Sequence, residues 1–384
     1  MSYAYMLVCI CSHEKVKTED VNMITAYHVD MICVQDADAF IVYYVTDYTK
    51  RHLVLIDAGR YGNGDDIVKY LNTHYRGLPI ELAIVTHPDD DHFGGFIAML
   101  EKIKSRSNDA VQIQKFWVND PREHFTTRDV EENMPAEELD KRLGSIYMTE
   151  GKILLDMIDD LKIPRQEIFA KTILTRIEND EYGRAVFKRS VAPSMQEGFY
   201  VLGPEISYYE SESTNYRYKK NLTFVEATSE DEDIDDDETD GRLKEHLSYV
   251  LDEADRDPSS HNKSSLIILF QPEDGVKYLF TGDASTDSFD AMLPACQLKC
   301  LNISWLKVPH HGSKANLNTK WIKHFNPKDA FISTLRRGKY LNQCTINALK
   351  KNGCDVVSTH NTPTFESIVF HDSLGRNLKP VVHS

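Results

Sequence analysis

Between residues 81 and 95 the chain reads Glu-Leu-Ala-Ile-Val-Thr-His-Pro-Asp-Asp-Asp-His-Phe-Gly-Gly. An apolar run, Leu82 to Val85, ends in His87, Asp89, Asp90, Asp91 and His92. Gly94 and Gly95 then lead into an apolar-rich segment, Phe96 to Ile103. Imidazole and carboxylate at this density form a ligand set for a divalent cation. A buried strand that stops, a polar loop and a helix that starts is also where a layered α/β fold puts its chemistry. A solvated acidic turn would account for the aspartates alone, but three further stretches carry similar residues beside strand-like runs. Phe280-Thr-Gly-Asp283-Ala ends an apolar run in a carboxylate, and His310-His311-Gly-Ser313 follows Leu306-Lys307-Val308-Pro309. A weaker one, His261-Asn262-Lys-Ser-Ser265, stands just before a strand. Taken singly, Asp283 reads equally well as a helix N-cap and the histidine pair as part of a turn. Core packing does not explain their repetition at strand ends.

The elements that must position these residues follow from periodicity. Tyr27 to Val34, Ala39 to Val45 and His52 to Ile56 are rich in Val, Ile, Tyr and Phe and read as strands. The third ends in Asp57-Ala58-Gly59, where small residues let the backbone turn sharply beside a site. Helical spacing covers Asp65 to Leu71 and 96–104, and Gln112 to Val118 reads as a strand. Residues 121–195 look like a mainly helical insertion, with helices at Ala136 to Arg142 and Ile146 to Leu161. Further strands are expected at Met6 to Ile10, Phe199 to Pro204, Ser264 to Phe270, Tyr278 to Phe280, Trp305 to Val308, Ala330 to Ser333, Val356 to Ser358 and Ser367 to Phe370. Helices are expected at Asp287 to Met292, Thr319 to His324 and Ile346 to Lys351.

Composition narrows the class. With 384 residues and 41% hydrophobic content, the chain has enough material for a full globular core. No apolar run approaches the roughly 18 residues of a membrane span, so no membrane partner is expected. The N-terminal stretch has no basic leading region or cleavage site, so no signal peptide is expected. Seven scattered cysteines without a CxxC pair argue against a disulfide framework or a cysteine-ligated zinc. The cytoplasm is the expected compartment. Of the net charge of −16, a net of −11 falls within residues 230–257, where fourteen acids face Arg242, Lys244 and Arg256. That tract, taken as 229–260, reads as a flexible acidic surface insertion and a candidate protein-docking segment. The remaining −5 argues against a broad grip on duplex DNA, which needs a basic face.

These motifs resemble the metallo-β-lactamase fold superfamily. Within it they resemble the soluble domain of the competence protein ComEC and its stand-alone relatives, whose first motif reads T-H-x-D-x-D-H-x-G-G, as in Thr86 to Gly95. Asn262 to Leu266, Thr281 to Asp283 and Leu306 to Ser313 resemble the later motifs of that branch, and Leu55 to Gly59 its L-I-D-x-G. Val34 to Ala39 is a loose echo of its opening motif. The resemblance implies a single α/β domain over 1–384: an αββα sandwich of two mixed sheets with helices outside. It also implies a centre of two divalent metal ions, Zn2+ or Mn2+. His87 and Asp89 would hold one ion, Asp91, His92 and His310 the other, and Asp283 would bridge them. Asp91 would also orient the attacking hydroxide. His311, Ser313 or Lys307 would meet a phosphate oxygen or protonate the leaving group. Asn262 stands where most of the superfamily has histidine, which shifts the metal toward manganese as well as zinc. With Ser313, Lys314, Arg336, Arg337 and His360, it is a candidate for substrate binding; Lys339 could join the arginines on phosphates.

The function expected from this resemblance is a metal-dependent phosphodiesterase or nuclease, acting on single-stranded DNA or another nucleic acid, in a setting such as bacterial anti-phage defence. Two alternatives stand beside it. One is hydrolysis of a small ester, lactone or cyclic nucleotide at the same site. The other is a non-catalytic partner-binding module on the same scaffold, with 229–260 as its docking or DNA-mimicking segment.

Overall fold

Alternation along the first strands sets the architecture. In Phe40–Thr46, Phe40, Val42 and Tyr44 join one apolar cluster while Ile41 joins another on the opposite face. In Lys50–Ile56, Val54 and Ile56 point one way and Leu53 and Leu55 the other. A strand apolar on both faces must be covered on both faces. The computed structural model shows that cover, and describes residues 24–124, 150–170, 175–179, 185–189, 198–213, 251–273, 275–292, 300–334, 340–359, 367–370 and 381–382.

The first sheet is built from β1 (Ile24–Ile32), β2 (Phe40–Thr46), β3 (Lys50–Ile56), β4 (Leu82–Ile84), β5 (Phe116–Trp117) and β6 (Arg165–Gln166). A separate hairpin pairs β7 (Thr175–Asn179) with β8 (Ala185–Arg189). The second sheet uses β9 (Phe199–Gly203), β10 (Ile267–Glu273), β11 (Val276–Phe280), β12 (Trp305–Lys307), β13 (Asp329–Ile332) and β14 (Asp355–Ser358). Two late strands complete the pair: β15 (Ser367–Phe370) joins the first sheet beside β1, and β16 (Val381–Val382) joins the second beside β14. The orders are β15-β1-β2-β3-β4-β5-β6 and β16-β14-β13-β12-β11-β10-β9. Each sheet is mixed. β3 to β6 run parallel in one and β11 to β14 in the other, with antiparallel strands flanking them.

Phe40, Trp117, Phe199, Phe270, Phe280 and Trp305 fill the space between the sheets. Each such side chain contributes roughly 2–3 kcal/mol on burial. Outside the first sheet lie α1 (Gly64–His74), α2 (Asp90–Ser105) and α3 (Glu150–Asp160), packing Ile67, Phe96 and Ile158 onto it. Outside the second, α6 (Thr286–Met292), α7 (Thr319–Phe325) and α8 (Gln343–Lys351) bring Phe289, Trp321 and Leu349. Two short helices, α4 (Ile206–Ser213) and α5 (Ser260–Lys263), precede β10. The layers are therefore αββα, as expected.

Three expectations need correction. The helix expected from residue 96 starts at Asp90, because Asp90 and Asp91 suit a helix first turn. Gly94 and Gly95 lie inside it, where the helix crosses the chain leaving β3. A Cβ on Gly95 would sit 2.0 Å from Ala58 O, so only glycine permits this approach. Within the proposed helical insertion 121–195, the described residues are mixed. β6 extends the first sheet and Ile168 and Phe169 are core, so 150–170 is part of the sandwich. The acidic surface insertion also ends earlier than residue 260. Leu251 is buried in the second sheet's outer core and Asp257 is buried as well. The helix at 136–142 and the strand at 6–10 lie outside the described residues. Among the described residues, no helix is long and apolar enough to cross a membrane.

Candidate metal centre

The carboxyl ends of the parallel strands from both sheets meet along one edge of the sandwich. Asp57 follows β3, Thr86 to Asp91 follow β4, Asp283 follows β11, and His310 and His311 follow β12. Open parallel sheets place their sites at this end, where loops diverge and backbone amides are free to turn.

Four histidines share one arrangement there. His92 Nδ1 donates to Asp57 Oδ2 at 2.8 Å. His311 Nδ1 donates to Ser333 O at 3.0 Å. His310 Nδ1 faces Asn316 Oδ1 at 3.0 Å and Asp257 Oδ2 at 3.2 Å. His87 Nδ1 lies 3.1 Å from Thr86 Oγ1, whose own proton goes to Asp57 Oδ2. Carboxylates and carbonyls only accept, so each Nδ1 carries the proton and each Nε2 is left as the potential donor atom. Those Nε2 atoms converge on carboxylates. His92 Nε2 is 3.4 Å from Asp283 Oδ2, and His310 and His311 Nε2 are each 3.9 Å from the same oxygen. His311 Nε2 is also 3.4 Å from Asp91 Oδ2, and His87 Nε2 is 3.6 Å from Asp89 Oδ2.

The donor set fits a divalent metal. His87, His92 and Asp283 offer ligand atoms within 4.8 Å of one another, and so do Asp91, His92 and His311. His87 Nε2 and His92 Nε2 are buried with no hydrogen-bond partner among the described residues. Such atoms are costly unless something completes them. The charges agree. Burial pushes the Asp283 carboxyl up, but Lys307 and the imidazoles of His92, His310 and His311 outweigh it and hold it well below the usual range. For Asp89, burial is outweighed by the hydrogen bond from His261 and by the nearby His87 imidazole, and the carboxyl again sits well below its usual range. His92 is held well above the ordinary imidazole value, Asp283 and Asp57 overcoming burial, and His310 is pushed up to about 9 by Asp283 and Asp257 against burial. The carboxylates thus demand positive charge at the centre.

Residues 40–140 match the family described as the metallo-beta-lactamase superfamily. The fold is that of a metallo-β-lactamase. Members of this superfamily are generally hydrolytic metalloenzymes, and the match suggests a metal-dependent hydrolase. ComE operon protein 3 of Bacillus subtilis (strain 168) is 28% identical over 127 residues, which cover 33% of this chain and 16% of that protein. This chain therefore aligns to about a sixth of that relative, in line with the ComEC-like resemblance.

On this metallo-β-lactamase scaffold, the residues expected from sequence fall into three groups. His87, Asp89, Asp91, His92, Asp283, His310 and His311 are brought together. Asn262 is adjacent, with its Nδ2 donating to Asp257 Oδ2 at 2.7 Å, while Ser313 is buried and Lys314 half-buried beside it. Arg336, Arg337, Lys339 and His360 lie outside the described residues.

Two roles change. Lys307 is fully buried. Its Nζ contacts Gly282 O at 2.6 Å, Asp283 Oδ1 at 3.1 Å and Asp38 Oδ2, using all three donors. It therefore holds Asp283 with Oδ2 turned to the imidazoles and cannot reach a phosphate. His311 is equally buried and its Nδ1 is committed to Ser333, so it faces the carboxylates rather than a leaving group.

Sequence reasoning gave no role to Asp38, Asp57, Asp257 or Asn316. Asp57 carried the same signal as Asp283, a carboxylate ending an apolar strand. Asp257 is one acid among fourteen in its tract and carried no signal. The histidine missing at position 262 has a neighbour in its place: His261 Nδ1 donates to Asp89 Oδ1 at 2.6 Å.

Proposed function

We propose that the chain is a metal-dependent phosphodiesterase that cleaves nucleic acid, single-stranded DNA by preference, at this centre. The observation that carries the reading is the convergence of four Nε2 atoms, each with its Nδ1 tied to an oxygen, on Asp89, Asp91 and Asp283. Carboxylates mixed with imidazoles suit Zn2+ or Mn2+, and two ions are the expected load. When bound, such ions supply Lewis acidity toward phosphoryl oxygens and acidify a water.

His87 and Asp89 would hold one ion and Asp91, His92, His310 and His311 the other, with the Asp283 carboxylate available to both positions. Asp91 also lies 3.6 Å from Arg60, at the exposed side of the cluster, and would orient the attacking water. The Arg60 side chain is 52% exposed and offers a cation beside Asp91 for a phosphate oxygen. Tyr340 packs its ring 4.2 Å from that of His310, bringing an aromatic group of the kind that stacks bases. Among the described residues, an arginine and a tyrosine at this mouth suit a thin single strand, and the net charge of −16 is against a broad grip on a duplex.

The test is hydrolysis of single-stranded DNA, duplex DNA, RNA and bis(p-nitrophenyl) phosphate with Mn2+ or Zn2+, using His87→Ala as the control. Metal-dependent cleavage of single-stranded DNA, lost in the control, is expected. Cleavage of the small ester alone would move the substrate to a small ester or cyclic nucleotide. Equal activity in His87→Ala would overturn the mechanism.

A further inference from the structure

The two halves of the centre are bridged by a short stretch that the proposed chemistry does not use, residues 257–262. At one end, Asp257 is buried and saturated. Its Oδ1 accepts from Ser259 N at 2.8 Å, and its Oδ2 accepts from Asn262 Nδ2 and Asn316 Nδ2, both at 2.7 Å, and from His310 Nδ1 at 3.2 Å. Asn316 in turn donates to Asp283 O at 2.9 Å and accepts from His310. At the other end, His261 donates to Asp89 Oδ1, which leaves Asp89 Oδ2 toward His87 Nε2 at 3.6 Å. One end therefore holds a histidine of the second sheet's loop and the other a carboxylate of the first sheet's loop. Between them, Ser259 caps α5 by accepting from Asn262 N, which fixes the spacing of the two arms. The stretch is anchored beyond both ends. Lys263 O accepts from Ser288 Oγ at 2.8 Å, and Asp252 accepts from Thr319 N at 2.8 Å.

We infer that residues 257–262 form a strap whose two ends position opposite metal ligands, Asp257 setting His310 and His261 setting Asp89, so that each end governs one of the two ion positions. The inference rests on the metal reading above. Asp257 and His261 are positioning residues: neither is needed to touch substrate. A carboxylate on Nδ1 orients the ring and makes Nε2 a better donor, and losing such a partner weakens metal affinity by about 10- to 100-fold. A histidine on Asp89 Oδ1 similarly restricts that carboxylate to one free oxygen.

Co2+ titration of the whole chain, followed by visible absorption, tests this without reference to turnover. Wild-type protein is expected to show two uptake steps. Asp257→Asn, which is isosteric and keeps an acceptor oxygen, weakens one step about 10- to 100-fold and leaves the other alone. His261→Ala weakens the other step, and the double variant weakens both. Asp252→Ala, which loosens the anchor beyond the strap without touching either ligand, titrates like wild type. The inference is overturned if Asp257→Asn and His261→Ala weaken both steps alike, if neither weakens any, or if Asp252→Ala reproduces their effect. A wild-type protein that takes up no Co2+ fails the metal reading itself, and the strap with it.

Discussion

The two sheets contribute to the centre in different ways. The first supplies His87, Asp89, Asp91 and His92 within six residues, from one loop and the first turn of α2. The second supplies Asp283, His310 and His311 from two loops, and these need Lys307, Ser333, Asn316 and Asp257 to orient them. A contiguous ligand set is positioned by local backbone geometry and a helix start. A dispersed one is positioned by buried polar contacts between elements far apart in sequence. The first half should therefore be sensitive to backbone changes and the second to loss of single hydrogen-bond partners.

The largest expected effect is at the joint between the halves. Asp283→Asn removes the charge that faces three imidazoles while keeping the shape, and should lower hydrolysis more than about 100-fold in steady-state assays. Gly95→Ala tests the backbone dependence of the first half. Its methyl would collide with Ala58 O, so thermal melting should show a loss of about 3 kcal/mol. Asp57→Asn should then expose a place where the first half also relies on a buried partner. Asp57 holds His92 Nδ1, Thr86 N and Thr86 Oγ1, and its neutralisation should weaken metal binding about 10- to 100-fold by calorimetric titration.

The smallest effect is one of pH. In the second half, His310 is raised above its unfolded value, to about 9. The stability it contributes to metal-free protein is fully present below about pH 6.5 and is lost as pH rises through about 9. Melting temperature in chelator should therefore fall over that window. With Mn2+ present the trend should reverse, because metal binding displaces the Nε2 proton and strengthens as pH rises.

The same contrast explains what the sequence disclosed. The individual strands were legible because runs such as Phe40–Thr46 are rich in β-branched and aromatic residues, whereas their arrangement as a sandwich followed from the resemblance of the motifs, since the cover on both faces comes from elements distant in sequence. The first half of the centre was legible because its ligands are neighbours in the chain. The second half was legible only where a ligand ends a strand, as Asp283 does. Lys307 looked like a substrate contact because a lysine beside two histidines gives no hint that Asp38, distant in sequence, buries it. Asp257 was lost among acids, since an anchored aspartate and a solvated one are identical until tertiary contacts separate them. The start of α2 was misplaced because its first turn is polar, made of ligands rather than core residues.

The central claim is that the two halves together hold two cations. Metal content per chain, measured after loading with Mn2+ or Zn2+ and removal of free ion, tests it most directly. Two ions per wild-type chain are expected, and fewer in Asp283→Asn; one ion or none in the wild type would contradict the two-cation centre.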